Sequence, residues 1–177
     1  MKKKKILVVC TVALAISLIA FVYQQIIVKA FRYSTPEEAF SHSRQRDCEL
    51  IDILKDRDVA LLIYKQKDGT YSDSIITKDS RGWTPLSSDH KNKRQTLQNN
   101  GFVYQKEVQG KTVIQVVIIV KADEDLPTIS DNIGSVFLSN SYELADGEKL
   151  LYGFSVSQKE LPDNYRIKLG DWETAIG

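Results

Sequence analysis

Residues 113–120, VIQVVIIV, place the tightest limit on what this chain can fold into. A nearly continuous run of β-branched residues reads as a strand covered on both faces, since a half-exposed strand would alternate with polar residues. Eight residues are far too few to cross a bilayer, so the run belongs inside a folded domain.

The sequence around that run predicts antiparallel neighbours. Residues 102–108 and 112–121 flank Gln109-Gly110-Lys111 as a hairpin. Upstream, residues 50–54 and 59–64 are short β-forming runs, Asp68-Gly69 is a hairpin turn, and residues 71–77 form the return strand. Ser80, Arg81 and Gly82 make a second turn into residues 83–86. Residues 133–138 and 150–156 are further strand candidates, and Leu161-Pro162-Asp163-Asn164 turns into residues 165–169. The polar stretch 90–100 breaks the pattern and reads as a loop or a short solvated helix.

One helix start is well formed. In STPEEAF, residues 34–40, Thr35 caps, Pro36 suits the first helical position and Glu38 completes the capping box. This predicts a helix to about Arg46. The expected fold is therefore α+β: an N-terminal transmembrane helix, then a second helix and a mostly antiparallel β-sheet domain over residues 34–177.

The transmembrane expectation comes from residues 1–28. Lys2 to Lys5 precede an uncharged apolar run, 6–28, which as a helix rising about 1.5 Å per residue spans roughly 34 Å against a hydrocarbon core of roughly 30 Å. Tyr23, Phe31 and Tyr33 stand where an aromatic belt would lie, and the lysine bias predicts a cytoplasmic tail at 1–5 with the C-terminal domain outside. The expected location is thus the cell membrane, single-pass, with the bilayer itself as a partner. The competing reading is a secretory signal cleaved after Ala30, which Val28 and Ala30 would suit; the unbroken apolar core over 6–23 is longer than a usual signal h-region. Cys10 lacks the small preceding residue and the complete h-region of a lipidation site.

Beyond residue 33 there are 18 basic and 23 acidic residues, a net charge of −5, although the whole chain stands at +1. That balance argues against bulk nucleic-acid binding. From Thr112 onward 5 basic residues face 11 acidic ones, so the negative charge is concentrated C-terminally. Cys10 and Cys48 lie in different segments and form no pair, and the flanking Asp47 and Glu49 disfavour a Cys48 thiolate.

No motif names a reaction. His42 and His90 have no carboxylate or cysteine at zinc-motif spacing. Gly153-Phe154-Ser155-Val156-Ser157 resembles half of a nucleophile elbow, but Ser157 stands where the second glycine belongs and the segment alternates like a strand. Asp123, Glu124 and Asp125, with Asp131 nearby, lack the glycine and glutamate of an EF-hand loop and read as a solvated acidic loop. Trp83 and Trp172 read as core-completing residues. No catalytic, cofactor-binding or metal residue is assigned.

The Lys-led apolar segment, STPEEAF and the strands ending at Gly82-Trp83 together resemble small membrane-anchored or secreted proteins of Bacillus-like Gram-positive bacteria. The likeness covers the first half of the chain and implies a host class and a cell-envelope setting, with no site. The function expected from the sequence is a non-catalytic binding or sensing domain with a protein partner in the envelope. The alternative is an envelope hydrolase using a carboxylate pair that the sequence does not identify.

Overall fold

The structure is a computed structural model describing residues 14, 16–19, 22, 31–43, 47–84, 92–97 (as backbone), 101–144, 147–158 and 160–175. It divides at Arg32 and Tyr33 into two compact units. Unit 33–177 carries twelve strands and the short helix Pro36–Ser41 among its described residues. The α+β expectation is corrected: the fold is overwhelmingly β.

Thr35 does cap the helix, its hydroxyl accepting from the Glu38 N–H at 3.2 Å, and Glu38 reaches back to the Ser34 N–H at 3.0 Å. The helix then stops at Ser41 instead of running to Arg46. The Glu38 carbonyl takes the regular His42 N–H at 3.1 Å, but the Ser43 N–H and hydroxyl both turn onto the Phe40 carbonyl, at 2.9 and 2.6 Å, and satisfy an acceptor that another turn would have used.

The single-pass membrane topology is also corrected. Among the described residues no helix is long and apolar enough to cross a membrane. Of the 6–28 run only 14, 16–19 and 22 are described, as helical; the remainder, with the 1–5 tail and the cleavage position after Ala30, lies outside the described residues. A span needs about twenty consecutive apolar helical residues, and the described ones do not supply them.

Among its described residues the unit holds three antiparallel sheets. The first is β1 (Glu49–Asp56), β2 (Val59–Lys65), β3 (Tyr71–Asp79) and β4 (Gly82–Trp83), in that order. The second has β5 (Asn92–Leu97), β6 (Gly101–Val108), β7 (Lys111–Lys121), β10 (Glu148–Ser157) and β9 (Leu138–Glu143), so that β10 separates β7 from β9. The third is β12 (Trp172–Ala175), β11 (Arg166–Leu169) and β8 (Ile129–Asp131).

The β2–β3 and β6–β7 hairpins fall where Asp68-Gly69 and Gln109-Gly110 predict them. Gly69 has φ +87°, and Gln109 and Gly110 have φ +51° and +74°, the left-handed backbone of a tight hairpin turn. Two expectations move. Residues 92–97 are strand β5, paired with β6, where a loop or helix was expected; a polar, charged sequence is what an edge strand tolerates. The strand expected at 133–138 lies at Leu138–Glu143, with 133–137 forming a loop.

The five-stranded sheet is the middle layer. Even residues of β7 (Ile114, Val116, Ile118) join Val103, Leu151, Ile129 and Ile167 in a core against the three-stranded sheet. Odd ones (Val113, with Val117 and Ile119 at its margin) join Leu61, Ile63, Ile75 and Tyr152 against the four-stranded sheet. The 113–120 run is thus packed from both sides. Strand β2 shares that position one layer out: its other face, Ala60, Leu62 and Tyr64, packs with Ala39 and Phe40 of the helix and with Trp83.

Candidate functional site

The edges of the middle sheet are β5 and β9, the latter because the sheet's last strand, β10, is inserted between β7 and β9. Along the segment that leads into and includes β9, large apolar side chains are exposed: Val136 at 81%, Ile133 at 47%, Leu126 at 42%, Tyr142 at 38% and Leu138 at 36%. These five fall within one 17-residue stretch, 126–142, that otherwise contributes only short strands. A grouping of exposed apolar residues calls for an explanation where a scattered one does not.

The loop carrying Ile133 and Val136 is held in place by its backbone. The Asp131 carboxylate accepts the Ile133 and Ser135 N–H groups at 3.1 and 2.8 Å and the Tyr165 hydroxyl at 2.9 Å. Asn132 is clamped to the strand opposite: its Nδ2 donates to the Asn164 carbonyl at 2.9 Å, its Oδ1 accepts the Arg166 N–H at 2.9 Å, and its N–H donates to the Arg166 carbonyl at 3.2 Å. Gly134 supplies the reversal at φ +76°. Burial opposes the charge on Asp131, but the hydrogen bonds from Ser135, Tyr165 and Ile133 outweigh it and hold the carboxyl below its usual range. Conversely, burial first and the bond to Asp131 second push the Tyr165 hydroxyl far above the usual phenol range. The result is a turn that presents Ile133 and Val136 outward on a fixed backbone.

Strand β9 itself is pinned on its inner side. Asp52 of β1 accepts the Tyr152 hydroxyl at 2.6 Å and Asn140 Nδ2 at 2.9 Å, tying the four-stranded sheet to β10 and β9. The Tyr71 and Tyr142 rings meet at 6.0 Å. Behind β9, Gly153 of β10 gives the clearance: a Cβ there would stand 2.8 Å from Ile129 Cδ1 and from the Leu138 carbonyl.

A second polar cluster lies between β3, β6 and β7. Gln115, fully buried, donates from Nε2 to Asp73 at 2.5 Å, while its Oε1 has no partner. Lys106 Nζ stands 3.8 Å from Asp73 and 5.2 Å from the Tyr104 ring centre. Burial pulls the Lys106 amine below its usual pKa, with Asp73 opposing. Lys111 pairs with Asp58 between the same two sheets. These groups are spent on joining sheets. Elsewhere, Asp47, Glu49, Lys65, Gln66, Lys67, Asp68 and Gly69 surround an open, polar cleft of about 440 Å³ beside the β2–β3 turn.

The residues singled out in the sequence are dispersed. His42 caps the short helix, its Nδ1 3.0 Å from the Glu38 carbonyl and its ring stacked on Tyr33 at 4.9 Å. His90 lies outside the described residues. Cys48 is a half-buried free thiol against the helix-side core. Ser155 is buried within strand β10, with no turn to expose it as a nucleophile. Trp83 is buried and Trp172 packs at a core margin. Asp123, Glu124 and Asp125 are exposed, and among the described residues no group of three or more His, Cys, Asp or Glu could hold a metal. Asp131 had been singled out only for calcium, and its actual work as loop anchor depends on Tyr165, 34 positions away. The one local signal for this site is Asn132-Ile133-Gly134, which sets the turn formers Asn132 and Gly134 around the start of the stretch 133–138 read as a strand.

No family model, curated protein or solved structure matches the chain.

Proposed function

We propose that the chain is a non-catalytic binding module that docks a protein partner on the β9 edge and the Asp131-anchored loop. One observation carries this reading: Ile133 and Val136 are held in solvent by a loop whose backbone is fixed through Asp131 and Asn132. Exposing apolar side chains on a rigid turn forgoes the gain from burying them and reduces the ordering cost of binding. The hydrolase alternative needs two carboxylates free to act. Asp52, Asp73 and Asp131, set among the packed sheets, are each engaged in bonds that hold sheets or loops together, and those carboxylates without an ion pair among the described residues, such as Asp123, Glu124 and Asp125, lie exposed to solvent, which favours the docking reading.

The test is site-specific photo-crosslinking of the full chain in a Bacillus-like Gram-positive host, the class that the sequence resemblance names. A probe at Val136 should give a discrete protein adduct, lost on Leu138→Asp, while a probe at Lys67 on the β2–β3 turn should give none. Equal adducts at both positions would overturn the reading. So would turnover of cell-wall glycans or peptides by the purified chain.

A further inference from the structure

We infer that the partner docks by strand addition: an extended segment, apolar at one end and basic at the other, pairs with the outer edge of β9. This rests on the docking-module reading and adds the mode of contact and the chemistry of the partner.

The mode follows from the hydrogen-bond parity of β9. Leu144 N–H donates to the Glu148 carbonyl at 2.8 Å, which makes 144 and 148 a hydrogen-bonded pair. Along the register Glu143↔Lys149 to Leu138↔Phe154, pairs alternate between bonded and non-bonded. The N–H and C=O groups of Ser139, Ser141 and Glu143 therefore point away from β10, toward the open edge. Asn140 Oδ1 takes the Ser141 N–H at 2.8 Å. Among the described residues the outward groups of Ser139 and Glu143 have no partner, and a strand edge of this kind is a template for another strand.

The partner's chemistry follows from the two ends of β9. Its first residue, Leu138, adjoins the loop bearing Ile133 and Val136, so that end offers apolar contact. At the other end Glu143 and Glu148 are exposed, and Asp123, Glu124 and Asp125, which follow Ala122 where it is tied to Gly147 and Lys149 across β10, add negative charge to the same end of the sheet. Among the described residues none of these five carboxylates has an ion pair, and the nearby cations are Lys121 and Lys149. Charge complementarity selects a basic segment. It also disfavours a second copy of this chain, which would bring the same carboxylates together.

The experiment uses the ¹⁵N-labelled full chain and two octapeptide probes, each with an apolar half of valine and threonine, followed in one by four lysines and in the other by four glutamates. The lysine probe should shift the amides of 138–143 and slow exchange of the Ser139 and Glu143 N–H groups. The glutamate probe should leave them unmoved. Ser139→Pro removes an outward donor while sparing the β9–β10 ladder, and should weaken binding about tenfold or more, the worth of roughly one hydrogen bond. Ser139→Ala should bind as the unaltered chain does. Loss of the cellular crosslink in Leu138→Asp but full binding in a folded Ser139→Pro would overturn strand addition and leave the docking reading standing. Unslowed Ser139 and Glu143 exchange in the unaltered chain with the lysine probe would overturn it without any variant, should the proline variant fail to fold. Equal response to both probes would overturn the basic partner, as would self-association abolished by Ser139→Pro, which would make the occupant a second copy.

Discussion

The two faces of the middle sheet are joined to their neighbours by different physics. Toward the four-stranded sheet the apolar core is crossed by Asp52 to Tyr152, Asp58 to Lys111, and Asp73 to Gln115 and Lys106. Toward the three-stranded sheet the contact is mainly apolar, with Asp131–Tyr165 at its margin, and it depends on Gly153 letting Ile129 approach. Polar crossings fix which residue meets which, because a misplaced partner leaves a buried group unpaired. Apolar packing is indifferent to small slips and needs shape, here an absent side chain, to set the approach. One interface is specified by bonding, the other by volume.

That difference can be broken in order of effect. Val116→Asp, a fully buried site facing the three-stranded sheet, should cost several kcal/mol, because packing offers no partner for the charge; thermal melting should show the domain unfolded or nearly so. Val117→Asp on the opposite face is only half-buried and should be milder. A melting temperature equal to that of the unaltered chain would place residue 117 outside the packed layer.

Gly153→Ala should destabilise by about 1–3 kcal/mol, since the new methyl meets a backbone carbonyl at 2.8 Å as well as Ile129. An unchanged denaturant midpoint would mean that volume does not set this interface.

Tyr152→Phe and Tyr165→Phe each remove a bond to a carboxylate and should cost about 1.5–3 kcal/mol. Their pH signature has a definite sign. Burial first, then Asp52 or Asp131, raises both hydroxyls above the ordinary value of 10.0. The folded state therefore keeps protons that the unfolded chain releases. The associated stability is complete below pH 10 and is lost as pH climbs through the raised folded-state values. Melting followed from neutral to strongly alkaline pH should fall less steeply in the double Phe variant.

The smallest effect is expected at Lys106→Met. Burial disfavours the ammonium and Asp73 compensates only in part, so the pair contributes little, while Asp73 keeps its bond from Gln115; an apolar chain of similar length should lower the melting temperature by no more than a few degrees. A large loss would show that the ion pair, not the stem, holds β6 to β3.

The sequence carried the local features and lost the distant ones. Thr35, Gly69, Gly110 and the doubly covered 113–120 run were legible because cap, turn and run each act within a few residues. The helix was overextended because a capping box marks where a helix begins and says nothing about where a serine will end it. Strand β5 was missed because edge strands need not alternate, and β9 was misplaced because Ile133 and Val136 resemble a strand while facing solvent. The edge that makes the candidate site exists only after β10 has come between β7 and β9. The bond from Asp52 to Tyr152 spans 100 positions and leaves no local trace.

The insertion of β10 also bears on how the chain is made. Strands β1 to β4 and β5 to β7 close through local hairpins as they are synthesised, but β7 pairs on its far side only with residues 148–157. Until those residues leave the ribosome, the most apolar strand of the sheet has a bare edge, and the loop from Lys121 to Glu148 must close before it is covered. Premature termination between these points would release a chain with that edge uncovered, prone to pairing with its own kind.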